Sequence, residues 1–293
     1  MVRLATGLRV LAPPNQEMPS IMQAVEMKAL AEALLSVALA TARVQMAHFA
    51  AGVTAEIKAD SSPVTVADRE SEDIILAGLA RVAPGVPVVS EEAAAAGRIP
   101  STGDSYFLVD PLDGTKPFIR KSPEFTINIA LIAMRKPIFG LLYAPAIPDF
   151  YVTTGPNEVG AARLPPSSGA QSLADCNLAP LRTRVPDPNA IGALTSQTHV
   201  NSATKRFLEQ YHVVESRAVS SSLKFGLMAR GEADVYPRTG QTSEWDTAAG
   251  HAVLAAAGGM VTTVEGGGLL YGKPRFLNPD FVAWGRTPLP KRR

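Results

Sequence analysis

A single cysteine, Cys176, is all the thiol chemistry this 293-residue chain contains. One cysteine forms no internal disulfide, so the fold does not require an oxidising compartment. Its place in a polar loop supports no argument for reactivity. A surplus of either charge is also missing: 28 Lys and Arg stand against 27 Asp and Glu, a net charge of +1. A sequence-independent nucleic-acid binder carries a basic excess, so that class is excluded. Long apolar runs are scarce as well. The longest uncharged stretch of the first helical segment is Ala33–Ala42, short of the roughly 20 residues a membrane span needs. No apolar core and cleavage site follow Arg3 and Arg9, so no secretory signal is expected. No internal repeat is visible. What remains, at 46% hydrophobic and 19% charged residues, is a soluble globular chain of one large domain or two modest ones sharing a core. The cytoplasm is its expected location.

Residues 1–19, with Pro13, Pro14 and Pro19, read as an unstructured tail, and Met18, Met22 and Met27 are candidate starts. From Ser20 to Ala51 an alanine- and leucine-rich pattern broken by Glu26, Lys28, Glu32 and Arg43 predicts a long helix with a polar face, ended at Gly52. Residues 54–65 are polar and predict a loop. A second helix is expected over 66–82. Val88-Val89-Ser90 predicts a short strand closing in Glu91-Glu92, and Tyr106-Phe107-Leu108-Val109 a strand ending at Asp110. Residues 125–134 and 138–143 predict a hairpin turning at Arg135-Lys136-Pro137, with a further strand at 149–154. Residues 155–190, rich in Pro, Gly and Ser, have no clear period and predict a surface hairpin or loop. The second half alternates strands (191–195, 213–218, 233–236, 260–264, 281–284) with helices (201–211, 221–230, 246–257), which implies layered α/β architecture.

The chemistry concentrates in Asp110-Pro111-Leu112-Asp113-Gly114-Thr115. A strand delivers Asp110 to a sheet end, Pro111 fixes the backbone there, and a turn would bring Asp113 to the same side. Two close carboxylates repel unless a cation separates them, and oxygen donors suit Mg²⁺. Gly114 permits close backbone approach, and Thr115 would open a helical stretch whose N–H groups can hold phosphate. Asp, Pro and Gly also favour plain surface turns, and Asp246 in Trp245-Asp246 could serve only as a helix N-cap. Three carboxylate groups at three element termini (Glu91-Glu92, Asp110/Asp113 and Asp246) resemble a metal site more than three separate caps.

Val89-Ser90-Glu91-Glu92, Asp110-Pro-Leu-Asp-Gly-Thr115 and Trp245-Asp246-Thr-Ala-Ala-Gly250 resemble, in order and spacing, the metal-site signatures of the inositol monophosphatase superfamily. The resemblance covers about residues 20–285. Lys116-Pro117-Phe118-Ile119, Glu124-Phe-Thr-Ile-Asn-Ile-Ala130, Ser221-Ser222-Leu223-Lys224-Phe225, Ala233-Asp-Val-Tyr-Pro-Arg238 and Glu244-Trp-Asp-Thr247 resemble its bisphosphate nucleotidase branch. Pro117 departs from that branch, which more often has Glu there. The resemblance implies a layered αβαβα sandwich and two or three Mg²⁺ per site. Glu91, Asp110 and the Leu112 carbonyl would hold one ion, Asp110, Asp113 and Asp246 a second, and Glu91 a third, weaker one. One ion would lower the pKa of the attacking water and another stabilise the leaving oxygen. Asp68 would pair with Thr115 and, with Glu91, orient and deprotonate the water. The backbone of Gly114 and Thr115 would hold the transferred phosphoryl group, and the loop 54–65 would be mobile and close over the metals.

On the same resemblance, His199, Ser221, Lys224 and Arg238 would contact substrate, together with Glu91, Leu112, Asp113, Gly114, Thr115 and Asp246. His48, His212 and His251 read as structural. One half, 20–160, would carry most metal ligands; the other, 161–293, would carry Asp246 and the specificity residues. The implied activity is removal of the 3'-phosphate of adenosine 3',5'-bisphosphate, inhibited by Li⁺. Inositol 1-phosphate or another sugar phosphate is the rival substrate, and a noncatalytic phosphometabolite-binding regulator the rival class. The expected partner is a small phosphorylated nucleotide, not a nucleic acid. A homodimer and peripheral attachment at the inner membrane face stay open.

Overall fold

A computed structural model describes residues 20–58, 62–197 and 201–292. The expected tail lies outside them. The first outer layer pairs helix α1 (Ser20–Ala51) with α2 (Val66–Val82). By length and composition Glu26–Ala51 would pass as a membrane-crossing helix. Its Leu30, Leu34, Leu35, Ala38 and Ala42 instead pack with Ile75 and Leu79 of α2 onto the first sheet. On α2 the buried positions Asp68, Ser71, Glu72, Ile75 and Leu79 recur at helical spacing, so one stripe of this helix faces inward.

The second layer is a sheet of seven strands in sequence order: β1 (Val88–Ser90), β2 (Ser105–Asp113), β3 (Thr126–Ala133), β4 (Lys136–Ala144), β5 (Asp149–Gly155), β6 (Glu158–Arg163) and β7 (Ala179–Pro180). β1 runs parallel to β2, and the others form an antiparallel meander. Short helices α3 (Glu91–Ala95) and α4 (Thr115–Ile119) follow β1 and β2 directly. The fourth layer is a sheet ordered β9-β8-β10-β12-β11, from β8 (Ile191–Ser196), β9 (Val213–Val219), β10 (Val235–Arg238), β11 (Met260–Thr263) and β12 (Phe281–Trp284). Helix α5 (Ser202–Leu208) covers its outer face, where Phe207 and Leu208 meet Tyr211, Val235 and Trp284.

Between the sheets lie α6 (Leu223–Ala229) and α7 (Ala248–Ala256), all of α6 buried. Their Phe225, Met228, Ala249 and Val253 join Leu108, Ala130 and Leu142 of the first sheet to Tyr236, Phe281 and Ala283 of the second. The five layers are therefore αβαβα, as the resemblance implies. The middle layer packs closely: a Cβ on Gly140 of β4 would fall 2.3 Å from the Ala249 carbonyl oxygen of α7. The segment 155–190, read from sequence as irregular, contributes the strands β6 and β7. Its run Val159-Gly160-Ala161-Ala162 is buried throughout and so lacks the alternation that marks a half-exposed strand.

Candidate active site

The metal-site motif is not a turn at the end of a strand, as expected, but a bulge within one. β2 continues to Asp113, with Asp110 opposite Asn128 of β3 and Asp113 opposite Thr126. Three steps on β2 thus face two on β3. Successive side chains in a strand alternate faces, so residues three apart normally point oppositely. The extra residue restores a common face. Ser222, at the start of α6, touches both opposing side chains on that face: its hydroxyl lies 2.7 Å from Thr126 Oγ1 and donates to Asn128 Oδ1 at 2.7 Å. Its N–H donates to Asp113 Oδ2 at 2.5 Å. Below the loop, Leu112 packs with Phe118 and Phe125, whose rings meet edge to face at 4.8 Å. Gly114 links β2 to α4 with φ +101°, and a Cβ there would come 3.1 Å from the Glu124 carbonyl. Pro117 lies in the first turn of α4, where a missing N–H costs nothing.

Parallel pairing sets Ser90 beside Val109, so Glu91, one residue on, arrives next to Asp110. The start of α3 is tied down by buried Glu72 of α2, whose Oε1 accepts from Glu92 N and Ala93 N, each at 3.1 Å. Asp246 does not open a helix: α7 begins at Ala248 with Thr247 as its N-cap. The first N–H groups of α7 are served by the Glu244 carbonyl, which accepts from Ala248 N at 2.9 Å. The Asp246 carboxylate instead accepts from Ser243 N at 2.8 Å and turns to the site. One carboxylate oxygen from each of Glu91, Asp110 and Asp246 lies within 4.8 Å of the other two. Burial first, and then mutual repulsion, holds Asp110 and Asp246 well above the usual carboxylate range. Glu91 and Asp113 are raised too, chiefly by burial. A hard divalent cation among these oxygens would relieve both causes.

Asp68 and Thr115 meet as expected. Thr115 Oγ1 donates to Asp68 Oδ1 at 2.9 Å, and the other Asp68 oxygen accepts from Thr65 N at 2.7 Å and Thr65 Oγ1 at 2.6 Å. Asp68, the third residue of α2, thus also closes a capping box with Thr65, so its helix-start role and its contact with Thr115 coexist. Burial raises its pKa despite these bonds.

A cleft of about 280 Å³ joins Glu91, Asp110, Asp113, Thr115 and Asp246 to Ser221, Lys224 and Arg238. Lys224 is 3% exposed. Its ammonium donates to the carbonyls of Val219, at 2.9 Å, and Ser221, and lies 5.0 Å from the Tyr236 ring centre. Burial lowers its pKa to about 8. Arg238 is 8% exposed; one amino group reaches Gln241 O at 3.4 Å, while its buried Nε has no partner among the described residues. Ser221 adopts φ +55° at the cleft wall. His199 lies outside the described residues.

His251 packs as expected, with Nδ1 3.0 Å from the Tyr271 hydroxyl, and His48 pairs with Glu70 at 2.9 Å. Sequence reasoning missed several residues that shape the site. Lys58, in the expected closing loop, pairs with Glu91 at 2.8 Å and Glu92 at 2.6 Å. Burial pushes Glu92 up to about 7. Glu244, fully buried, accepts from Gly272 N and Lys273 N at 2.8 Å each and anchors the segment beside Asp246. Gln45 on α1 reaches the bulge. Glu92 and Glu244 belong to the motifs that carry the family resemblance; Lys58, Glu72 and Gln45 carry no local signal.

Compared with known proteins, residues 25–287 match the inositol monophosphatase family. Over 226 residues the chain is 42% identical to the 3'(2'),5'-bisphosphate nucleotidase CysQ of Shigella flexneri, covering 76% of this chain and 86% of that one. The CysQ of Escherichia coli (strain K12) gives the same identity and coverage. The crystal structure of CysQ from Bacteroides thetaiotaomicron, a bacterial member of the family, superposes with a TM-score of 0.73 at 31% identity, covering 89% of this chain and 98% of that one.

Proposed function

Because the chain belongs to the inositol monophosphatase family, we propose that it is a Mg²⁺-dependent 3'(2'),5'-bisphosphate nucleotidase, converting adenosine 3',5'-bisphosphate to AMP and phosphate. The observation that carries this substrate is the pair of buried cations beside the acidic cluster. Arg238 keeps an Nε without a partner among the described residues, and Lys224 has committed two donor bonds to carbonyls, of the three an ammonium can make. A monophosphate ester leaves such a pair idle. A second phosphate, about one ribose away from the first, needs partners once it leaves water.

In this reading Glu91, Asp110, the Leu112 carbonyl, Asp113 and Asp246 hold two or three Mg²⁺. Bound there, the ions supply Lewis-acid activation of water and stabilisation of the leaving oxygen. The chain's own residues do the rest. Thr115 Oγ1 orients the water with Glu91 and accepts its proton while passing its own to Asp68 Oδ1, 2.9 Å away. The raised basicity of buried Asp68 favours that transfer. The Gly114 and Thr115 N–H groups hold the transferred phosphoryl group, and Lys224, Arg238 and Ser221 hold the other phosphate, with His199 near the nucleotide. Cytoplasmic action, Li⁺ sensitivity and a place in sulfur metabolism belong to the same proposal.

The test is phosphate release from adenosine 3',5'-bisphosphate, inositol 1-phosphate, fructose 1,6-bisphosphate and AMP, with Li⁺ titrated at fixed Mg²⁺. Lys224→Met suits this better than alanine, because it fills the buried space. It is expected to cost about 1.5–3 kcal/mol in kcat/KM for the bisphosphate nucleotide, roughly 10- to 150-fold, and little for inositol 1-phosphate. Equal losses on both would make Lys224 a residue of the fold and remove the case for a second phosphate.

A further inference from the structure

Gln45 is a fully buried amide on α1, near Thr41 and Ala42, in the outermost layer of the fold. Burying an amide is unfavourable unless it is hydrogen-bonded. Its Nε2 donates to the carbonyl of Pro111 at 2.7 Å and to Ser71 Oγ at 3.1 Å. The Pro111 carbonyl can only accept, which fixes the orientation of the amide. Gln45 Oε1 has no hydrogen-bond partner among the described residues, so the side chain satisfies another group while leaving part of itself unsatisfied.

Both acceptors stand at telling places. Pro111 is within the bulge, where Asp110 and Asp113 are brought to one face. Ser71 lies one turn beyond Asp68 on α2, on the same buried stripe. One amide therefore ties the helix that carries Asp68 to the strand that carries the two aspartates. Thr115, whose hydroxyl must reach Asp68, sits two residues past Asp113.

We infer that Gln45 is a positioning residue, which holds the Pro111 carbonyl and so fixes both the face shared by Asp110 and Asp113 and the approach of Thr115 to Asp68. This rests on the phosphatase reading for what the centre does, though not for how the centre is held. The experiment uses the full chain as Gln45→Met, which keeps the volume and removes the donor. Gln45→Asn, which keeps the amide but draws it back by about 1.5 Å, covers the case in which the first variant does not fold. Mn²⁺ affinity is measured by titration calorimetry without substrate. Thermal midpoint, kcat and KM for adenosine 3',5'-bisphosphate are measured alongside.

The expected result is a loss of roughly 10- to 100-fold in Mn²⁺ affinity or kcat, the range for groups that orient ligands from behind. KM should move less than about twofold, and raised Mg²⁺ should restore part of the activity. A lower midpoint with Mn²⁺ affinity and kcat unchanged would overturn the inference and leave Gln45 a core amide. Should the wild type release no phosphate, the nucleotidase reading fails by itself, and the Mn²⁺ arm still decides the role of Gln45.

Discussion

Asp110 holds the sharpest conflict in the molecule. It is 1% exposed, and one of its oxygens lies within 4.8 Å of an oxygen of Glu91 and of Asp246. Its charge is unfavourable to the fold and required by the proposed chemistry. Asp110→Asn should therefore separate the two: hydrolysis falls by more than about a hundredfold, while the metal-free protein melts higher than wild type because one buried repulsion is gone. Calorimetry with and without Mg²⁺, beside a turnover assay, checks both halves. Retention of activity would remove Asp110 from the metal site. Asp110 and Asp113 were legible because their chemistry is local, two acids and a glycine within five positions. Lys58, Glu72 and Gln45 were not, because they act on partners 33, 20 and 66 positions away, and only the assembled layers bring them there.

At the scale of elements, regularity decided what could be read. The apolar strands of the first hairpin and the stripe of α2 stood out by period. The buried strand β6 did not, since small residues covered on both faces leave no alternation. The start of α7 was misplaced because Asp246 has the chemistry of a cap, whereas the Glu244 carbonyl takes that role. Strand β4 and helix α7 meet closely. Gly140→Ala would set a methyl 2.3 Å from the Ala249 oxygen and 2.9 Å from the Ala252 Cβ. Because backbone must yield, the expected loss is about 1–3 kcal/mol in urea unfolding. An unchanged unfolding midpoint would mean that the helix slides freely.

For the whole molecule, the layered architecture and the family were legible from three short segments, since the same fold must bring all three together. The finer placement of the cations was less so: Lys224 and Arg238 stand in recognisable motifs, but their burial emerges only from the middle layer and the second sheet. The acidic cluster makes stability depend on pH and metal together. Asp110, Asp113, Asp246 and Glu91 have folded pKa values raised above the usual carboxylate range, chiefly by burial. Between that range and the folded values these four groups hold more protons in the native chain than in the unfolded one, so the stability they contribute is lost as pH rises through the folded values. The metal-free protein should melt lower at pH 8 than at pH 6, and saturating Mg²⁺ should raise the midpoint more at pH 8. Equal gains at both pH values would show that the cation does not neutralise this cluster.

The bulge in β2 also has a meaning beyond parity. A regular strand could set two acids on one face simply by spacing them two apart, with every backbone group committed to the ladder. The odd spacing of Asp110 and Asp113 needs a surplus residue, and that surplus releases main-chain groups from sheet duty. The Pro111 carbonyl is free to accept from Gln45, the Leu112 N–H turns back to Asp110 Oδ1 at 3.1 Å, and the Leu112 carbonyl stands 3.4 Å from Thr115 Oγ1. Deleting Leu112 would leave both carboxylates pointing the same way and the sheet more orderly than before. The lesion would be one of excess regularity: a strand mended as a strand, with its main chain no longer at liberty to serve anything else.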